Sequence, residues 1–164
     1  MAEQGSTSSQ LDLVLFSPRI PHNVGAVGRL CAATRTPLHV IRPITFPLDD
    51  KSLLRSGLDY WQYVDVTLHR DFEACREALG EKRWFLFSTH GTVPYEESGF
   101  GPGDVLLFGN ESHGAPDWVH EAVGRERILK IPIFEPNARS LNLSMSAAIG
   151  LYEAIRQVRQ IGRA

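Results

Sequence analysis

Short, nearly continuous apolar runs alternate along this chain with stretches whose apolar residues recur every three or four positions. Leu11 to Phe16 reads as a first buried strand and Val24 to Arg35 as an amphipathic helix. Leu38 to Arg42 predicts a second strand, then a proline-rich connection from Pro43 to Asp49 and a short helix around Asp50 to Ser56. Val64 to Leu68 is the third strand, Phe72 to Leu79 a helix, and Trp84 to Ser88 the fourth strand. Val105 to Phe108 follows as the fifth, Pro116 to Val123 as a short helix, and Ile128 to Ile133 as the sixth. A long helix from about Asn142 to Gln160 closes the chain. Strands that are apolar throughout, separated by helices, predict an α/β fold: a mostly parallel six-stranded sheet with helices on both faces. Neither a repeat nor a linker interrupts the pattern. Residues 11–164 therefore read as a single domain, and the polar stretch 1–10, rich in Ser and Gln, as a flexible tail.

Composition narrows the class without naming a function. The 164 residues suit one compact domain, and 43% hydrophobic with 22% charged residues is ordinary for a globular protein. No apolar run approaches the roughly 20 residues that cross a bilayer, and the start lacks the basic-then-apolar layout of a signal peptide. A cytoplasmic protein is the expectation. Cys31 and Cys75 both sit in apolar helical patterns and read as small core residues in a reducing compartment. The histidines at 22, 39, 69, 90, 113 and 120 form no HExxH or Cys/His motif, so no metal is expected. A net charge of −2 argues against a protein that coats nucleic acid through a strongly basic surface, though a local patch could still hold RNA.

In open parallel sheets, ligands bind beyond the carboxyl ends of the strands. That rule selects the loops Ser17 to Gly25, Thr89 to Gly91, Gly109 to Pro116 and Phe134 to Asn142. In the first, Asn23 is placed to cap the following helix, and Arg29 could project beside the strand ends to hold a phosphate. In the third, Ser112 beside His113 suggests a serine hydrolase, but no glycine stands two residues before Ser112, as a nucleophile elbow needs. Adjacent residues also cannot normally form a nucleophile–base hydrogen bond. Glu111 could instead hold a neighbouring arginine or a helix terminus. In the last, Ser140 and Asn142 can each cap the closing helix, where one cap suffices.

Set side by side, these segments resemble the three motifs of the SPOUT superfamily's 2′-O-ribose methyltransferases. The first matches Asn-x-Gly-x-x-x-Arg as Asn23, Gly25 and Arg29, and the second Phe-Gly-x-Glu-x-x-Gly as Phe108, Gly109, Glu111 and Gly114. The third matches an Ile-Pro strand followed by Ser-Leu-Asn-Leu-Ser, as Ile131, Pro132 and Ser140 to Ser144. Three weak motifs in order at these spacings make a specific signal. The likeness covers nearly all of the chain after the tail and is nearest to the small TrmL (YibK-like) branch. Asp49 to Tyr60 and the pair Tyr152-Glu153 resemble that branch in particular.

The resemblance implies a trefoil knot in the carboxyl half and a homodimer. It also implies methyl transfer from S-adenosylmethionine to the ribose of the wobble cytidine or uridine in leucine tRNAs. The donor would rest on Phe87, Gly91, Gly109, Glu111, Ile131, Ser140 and Leu141. Catalytic work falls to Arg29, Tyr152, Asn142 and Ser140. Asn23, Lys51, Arg55 and Arg139 are the expected RNA contacts. Arginine keeps its proton at neutral pH, so Arg29 suits charge stabilisation better than proton abstraction. Tyr152 is then the other candidate acceptor. The chain departs from the branch at Ala26, Ala115 and Met145, where members often carry Asn, Leu, and Asn or Val. Rival readings are another tRNA or rRNA target site, a donor- or RNA-binding module without turnover, and the hydrolase.

Overall fold

The computed structural model describes residues 8–49 and 59–163. The expected helix at Asp50 to Ser56, with Lys51 and Arg55, lies outside the described residues. Among the described residues seven strands form one sheet, β1 (Asp12–Phe16), β2 (Leu38–Ile41), β3 (Val66–His69), β4 (Trp84–Phe87), β5 (Val93–Pro94), β6 (Val105–Phe108) and β7 (Ile128–Lys130). The order is β3-β2-β1-β6-β4-β7-β5, and every pair is parallel. The sheet thus has one strand more than the pattern predicts. The extra strand, β5, is two residues long and ends on a proline, too short for periodicity to reveal and confined to an edge. The last strand is shorter than expected. Pro132 has no N–H to offer a ladder, so the chain leaves the sheet after Lys130.

Among the described residues four α-helices cover the sheet: α1 (Pro21–Thr34), α2 (Phe72–Leu79), α3 (Asp117–Val123) and α4 (Leu143–Ile161). Alternate strand residues sort to the two faces with a period of two. Leu13, Leu15, Leu38, Val40, Phe85, Phe87, Leu106 and Phe108 join Val24 and Val27 of α1 and Ala147, Leu151 and Ala154 of α4 in one core. Val14, Ile41, Leu86, Val105 and Leu107 meet Phe72 and Cys75 of α2 and Val119 and Val123 of α3 in the other. Burial on both faces is why the strands read as unbroken apolar runs. Cys31 and Cys75 are buried free thiols, each pushed up to about 12 by burial, as core cysteines should be. Ser9 is also buried, its hydroxyl accepting from Thr36 Oγ1 at 2.7 Å, so the chain is docked before β1 begins.

Two glycines fix close approaches. A Cβ on Gly28 would lie 2.3 Å from Cζ3 of Trp61, so α1 can seat that indole only with hydrogen there. At Gly91 a Cβ would meet the Leu129 carbonyl carbon and oxygen at 2.7 Å. The segment leaving β4 therefore crosses the β7 backbone in direct contact.

A buried polar chain runs through the second core. His39 Nε2 is 3.1 Å from Asp12 Oδ1, and His39 Nδ1 is 2.9 Å from His69 Nε2. A carboxylate can only accept, so His39 donates through Nε2 and, when neutral, accepts from His69 at Nδ1. Burial alone would push the Asp12 carboxyl up. Hydrogen bonds from His39 and from Lys82 (2.6 Å) outweigh it and hold Asp12 below the ordinary carboxylate range. Burial and then the His39 charge hold His69 below the ordinary histidine value. The unfolded chain therefore takes protons more readily at both groups, and stability must fall as pH drops, first through the histidine range near 6.5 and then through the carboxylate range near 4. The thermal midpoint should fall between about pH 7.5 and 5.5, and in His69→Gln that drop should be smaller; an unchanged drop in the variant would remove His69 from the account.

Candidate active site

Three loops meet at the carboxyl ends of β1, β6 and β7, beside the turn that follows β4, where the strand order changes direction. They enclose a cavity of about 480 Å³. Apolar walls come from Phe87, Phe108, Ile131, Ile133 and Leu141, and polar groups from Asn23, Glu111, Arg139, Ser140, Asn142 and Ser146. Ile131 and Ile133, expected to be strand residues, line it because the chain has left the sheet at Pro132.

One hydrogen-bonded chain ties these loops together. Glu111 follows β6, and its carboxylate accepts from the backbone N–H of Arg19 (2.7 Å) and Ile20 (3.0 Å) and from Asn23 Nδ2 (3.3 Å). Asn23, only 4% exposed, accepts through Oδ1 from Asn142 Nδ2 at 3.1 Å. Asn142 Oδ1 in turn accepts from the N–H groups of Ser144 (2.9 Å) and Met145 (3.2 Å), capping α4. A helix start leaves several N–H groups without intrahelical partners, and negative charge there is favoured. Glu111 supplies both at the start of α1.

This geometry revises the capping assignments. Helix α1 begins at Pro21 rather than Val24, so Asn23 stands inside its first turn and does not cap it. Proline at the first position needs no N–H partner, and Glu111 serves the donors just before it. Of the two candidate caps for α4, Asn142 performs the role. The hydrolase reading also loses its pair. Asn110 Oδ1 holds the N–H groups of Ser112 (3.0 Å) and His113 (2.8 Å) in a tight turn, and the Ser112 hydroxyl accepts from Arg19 Nη1 at 3.4 Å.

The remaining expected residues divide clearly. Phe87, Gly109, Glu111, Ile131, Ser140, Leu141, Asn142, Asn23 and Arg139 all line the cavity. Gly91 does not; it is spent on the crossing with β7. Gly109 is pressed against the backbone of its own loop, where a Cβ would lie 2.3 Å from the Gly114 carbonyl carbon. Arg29 and Tyr152 are exposed and outside the lining, with the Arg29 guanidinium 5.5 Å from the centre of the Tyr60 ring. Ser88, Thr89, Asp117 and His120 line the cavity as well. Reading Ser88 as the last strand residue, and His120 as part of a helix pattern, hid both.

The floor is set by packing. The Phe87 and Phe108 rings stack at 4.6 Å and 11°, and a Cβ on Gly150 of α4 would lie 2.6 Å from Phe87 Cζ. Helix α4 thus rests on the ring pair through a bare backbone.

A family model described as the SpoU rRNA Methylase family matches residues 10–152. A tRNA (cytidine(34)-2′-O)-methyltransferase of Methylovorus glucosotrophus (strain SIP3-4) is 45% identical over 146 residues, covering 89% of this chain and 94% of that protein. Among solved structures, one described as giving structural insights into the 2-OH methylation of C/U34 on tRNA is 47% identical with a TM-score of 0.82, covering 93% of this chain and 97% of its own. The SpoU methyltransferase AviRb of Streptomyces viridochromogenes, in complex with the cofactor AdoMet, is 25% identical with a TM-score of 0.74, covering 93% of this chain and 62% of its own.

Replacing Asn23 by Asp would set a carboxylate against Glu111 and remove the donor between them. A buried group left unpaired costs about 1–3 kcal/mol, and in a chain of this size each kcal/mol lowers the melting midpoint by about 2–4 °C. Asn23→Asp should therefore melt several degrees lower at pH 7.5; a melt matching the parent chain would show that the link carries no weight.

Proposed function

The chain belongs to the SpoU rRNA methylase family, and within it we propose that it transfers a methyl group from S-adenosylmethionine to the ribose 2′-hydroxyl of the wobble cytidine or uridine of tRNA. The observation that carries this reading is the cavity walled jointly by the three motif loops and locked by Glu111, Asn23 and Asn142. Its size and lining suit the donor: flat apolar surface for an adenine ring from Phe87, Ile131 and Leu141, with a few polar groups at the rim. The bound donor supplies an electrophilic methyl group.

Everything else falls to this chain's residues. Ser140 and Asn142 sit at the mouth beside Arg139, where a ribose and its phosphate would enter. Their task is orientation, which can contribute up to about 7–11 kcal/mol when the reacting atoms are held in line. Arg29 offers a fixed positive charge for the substrate phosphate and for negative charge developing on the 2′-oxygen. Tyr152 is the candidate to take the hydroxyl proton. Arg139 completes the RNA side with Lys51 and Arg55; Asn23, expected there too, is 4% exposed with both ends of its amide engaged, and holds the loops together instead.

We further propose a homodimer whose two-fold contact includes α4. Met145, Ile149 and Tyr152 follow one another at four and three residues, on one side of that helix, and are 62%, 37% and 55% exposed. A partner there would also account for Arg29 and Tyr152 standing outside their own chain's cavity, because each could serve the partner's. The crossing of the β4–β5 segment against β7, and the late entry of β6 and β7 between earlier strands, support a knotted carboxyl half. Among the described residues no helix is long and apolar enough to cross a membrane. A cytoplasmic enzyme acting on free tRNA is the reading we adopt.

Incubation with methyl-labelled S-adenosylmethionine and total tRNA should place label on the ribose of nucleotide 34. Label at another position, or ester hydrolysis without label, would overturn the assignment. Arg29→Ala should abolish transfer while donor binding by calorimetry persists; loss of both would refute its role. Serial dilution toward monomer should lower specific activity together with the sedimentation coefficient, and activity held constant in the monomer would exclude a shared site.

A further inference from the structure

Besides Asn23 and Asn142, the cavity holds a second polar element that no motif includes. Ser88 directly follows β4, and its Oγ lies 3.0 Å from Nε2 of His120 on α3. The other ring nitrogen, His120 Nδ1, lies 3.1 Å from the carbonyl oxygen of Pro116. A carbonyl can only accept, so Nδ1 carries the proton and Nε2 of the neutral ring is an acceptor. The Ser88 hydroxyl must therefore donate its one proton to His120. It also accepts from the backbone N–H of His90 at 3.1 Å. One proton and one lone pair are thereby spent, and one lone pair remains. Ser88 and His120 both line the cavity, as do the apolar Phe87, Phe108 and Ile131.

A hydroxyl oriented in this way can take only a group that brings its own hydrogen. It cannot donate to a phosphate or carboxylate, and it offers nothing to a methyl group. We propose that Ser88 is a recognition point for a hydrogen-donating N–H or O–H group of the methyl donor, with His120 as the positioning residue that fixes the serine as an acceptor. This rests on the methyltransferase reading above and names a contact that reading does not need. The candidate groups are the exocyclic amine of adenine, the ribose hydroxyls and the amine of the amino-acid portion. Ser88 also closes the turn into Gly91, whose N–H donates to the Ser88 carbonyl at 3.0 Å. Loss of the hydroxyl must therefore be separated from loss of the turn.

The test is a set of calorimetric titrations on the full chain, with S-adenosylhomocysteine and analogues that each lack one donating group: 6-unsubstituted purine, 2′-deoxy, 3′-deoxy and deamino. One ordinary hydrogen bond corresponds to an affinity change of about three- to tenfold. Ser88→Ala should lose about that factor for S-adenosylhomocysteine, and Ser88→Thr, which keeps the hydroxyl, should recover it. Exactly one class of analogue should be weakened by the same factor in the parent chain yet bind Ser88→Ala no worse than the full ligand does. That class identifies the group recognised. His120→Leu should abolish the same discrimination. If Ser88→Ala weakens the full ligand and all analogues equally, the residue shapes the turn and the proposal fails. If the parent chain binds no S-adenosylhomocysteine, the donor assignment itself fails, and this inference with it.

Discussion

The structure depends on one buried amide. Asn23 is the link between a carboxylate 88 positions later and a second amide 119 positions later, and it satisfies both with its two ends. An asparagine suits this place because its side chain donates at one end and accepts at the other. An acid would set a second carboxylate against Glu111, and an aliphatic residue of similar size would remove both hydrogen bonds. Because Glu111 also holds the entry of α1 and Asn142 caps α4, the amide sets two helix starts against one strand end. The cavity between them is preorganised rather than formed on binding, which is how a polar network of this kind repays its desolvation.

Beneath this link the apolar packing is equally specific. The stacked rings of Phe87 and Phe108 come from adjacent strands, and α4 lies on them where it has no side chain, at Gly150. The same helix turns Met145, Ile149 and Tyr152 outward. One face of α4 thus builds the pocket floor while another is left apolar and exposed. Arg29 and Tyr152 stand outside the cavity, and Tyr152 belongs to that exposed face.

The two faces of the sheet carry different chemistry. On the α1–α4 side the polar groups collect at the strand ends and open into the cavity. On the α2 side the Asp12–His39–His69 chain is closed within the core and bears on stability rather than on the site. Ser88 and His120 belong to the site, although His120 comes from α3, on the face that contributes least to the three motifs. The cavity therefore draws on every layer of the fold, which a linear motif cannot record.

Much of this was legible along the chain. Unbroken apolar runs between helical patterns were enough for an α/β fold with a buried parallel sheet, because burial on both faces leaves a direct mark on composition. The glycine and Asn/Ser-rich loops at strand ends pointed to the site, since backbone must turn sharply there whatever its partners. What the chain could not disclose was who those partners are. The seventh strand is two residues long, and it exists only because β7 offers it an edge. Asn23 looked like a cap because its neighbours in sequence allow one, while its true partners arrive from loops far along the chain. Gly28, Gly91 and Gly150 look like interchangeable small residues until Trp61, Leu129 and Phe87 are brought against them. Local sequence determines which backbone conformations are cheap; only the packed fold decides which side chains must share a space, because that choice is made by exclusion and by the pairing of buried polar groups.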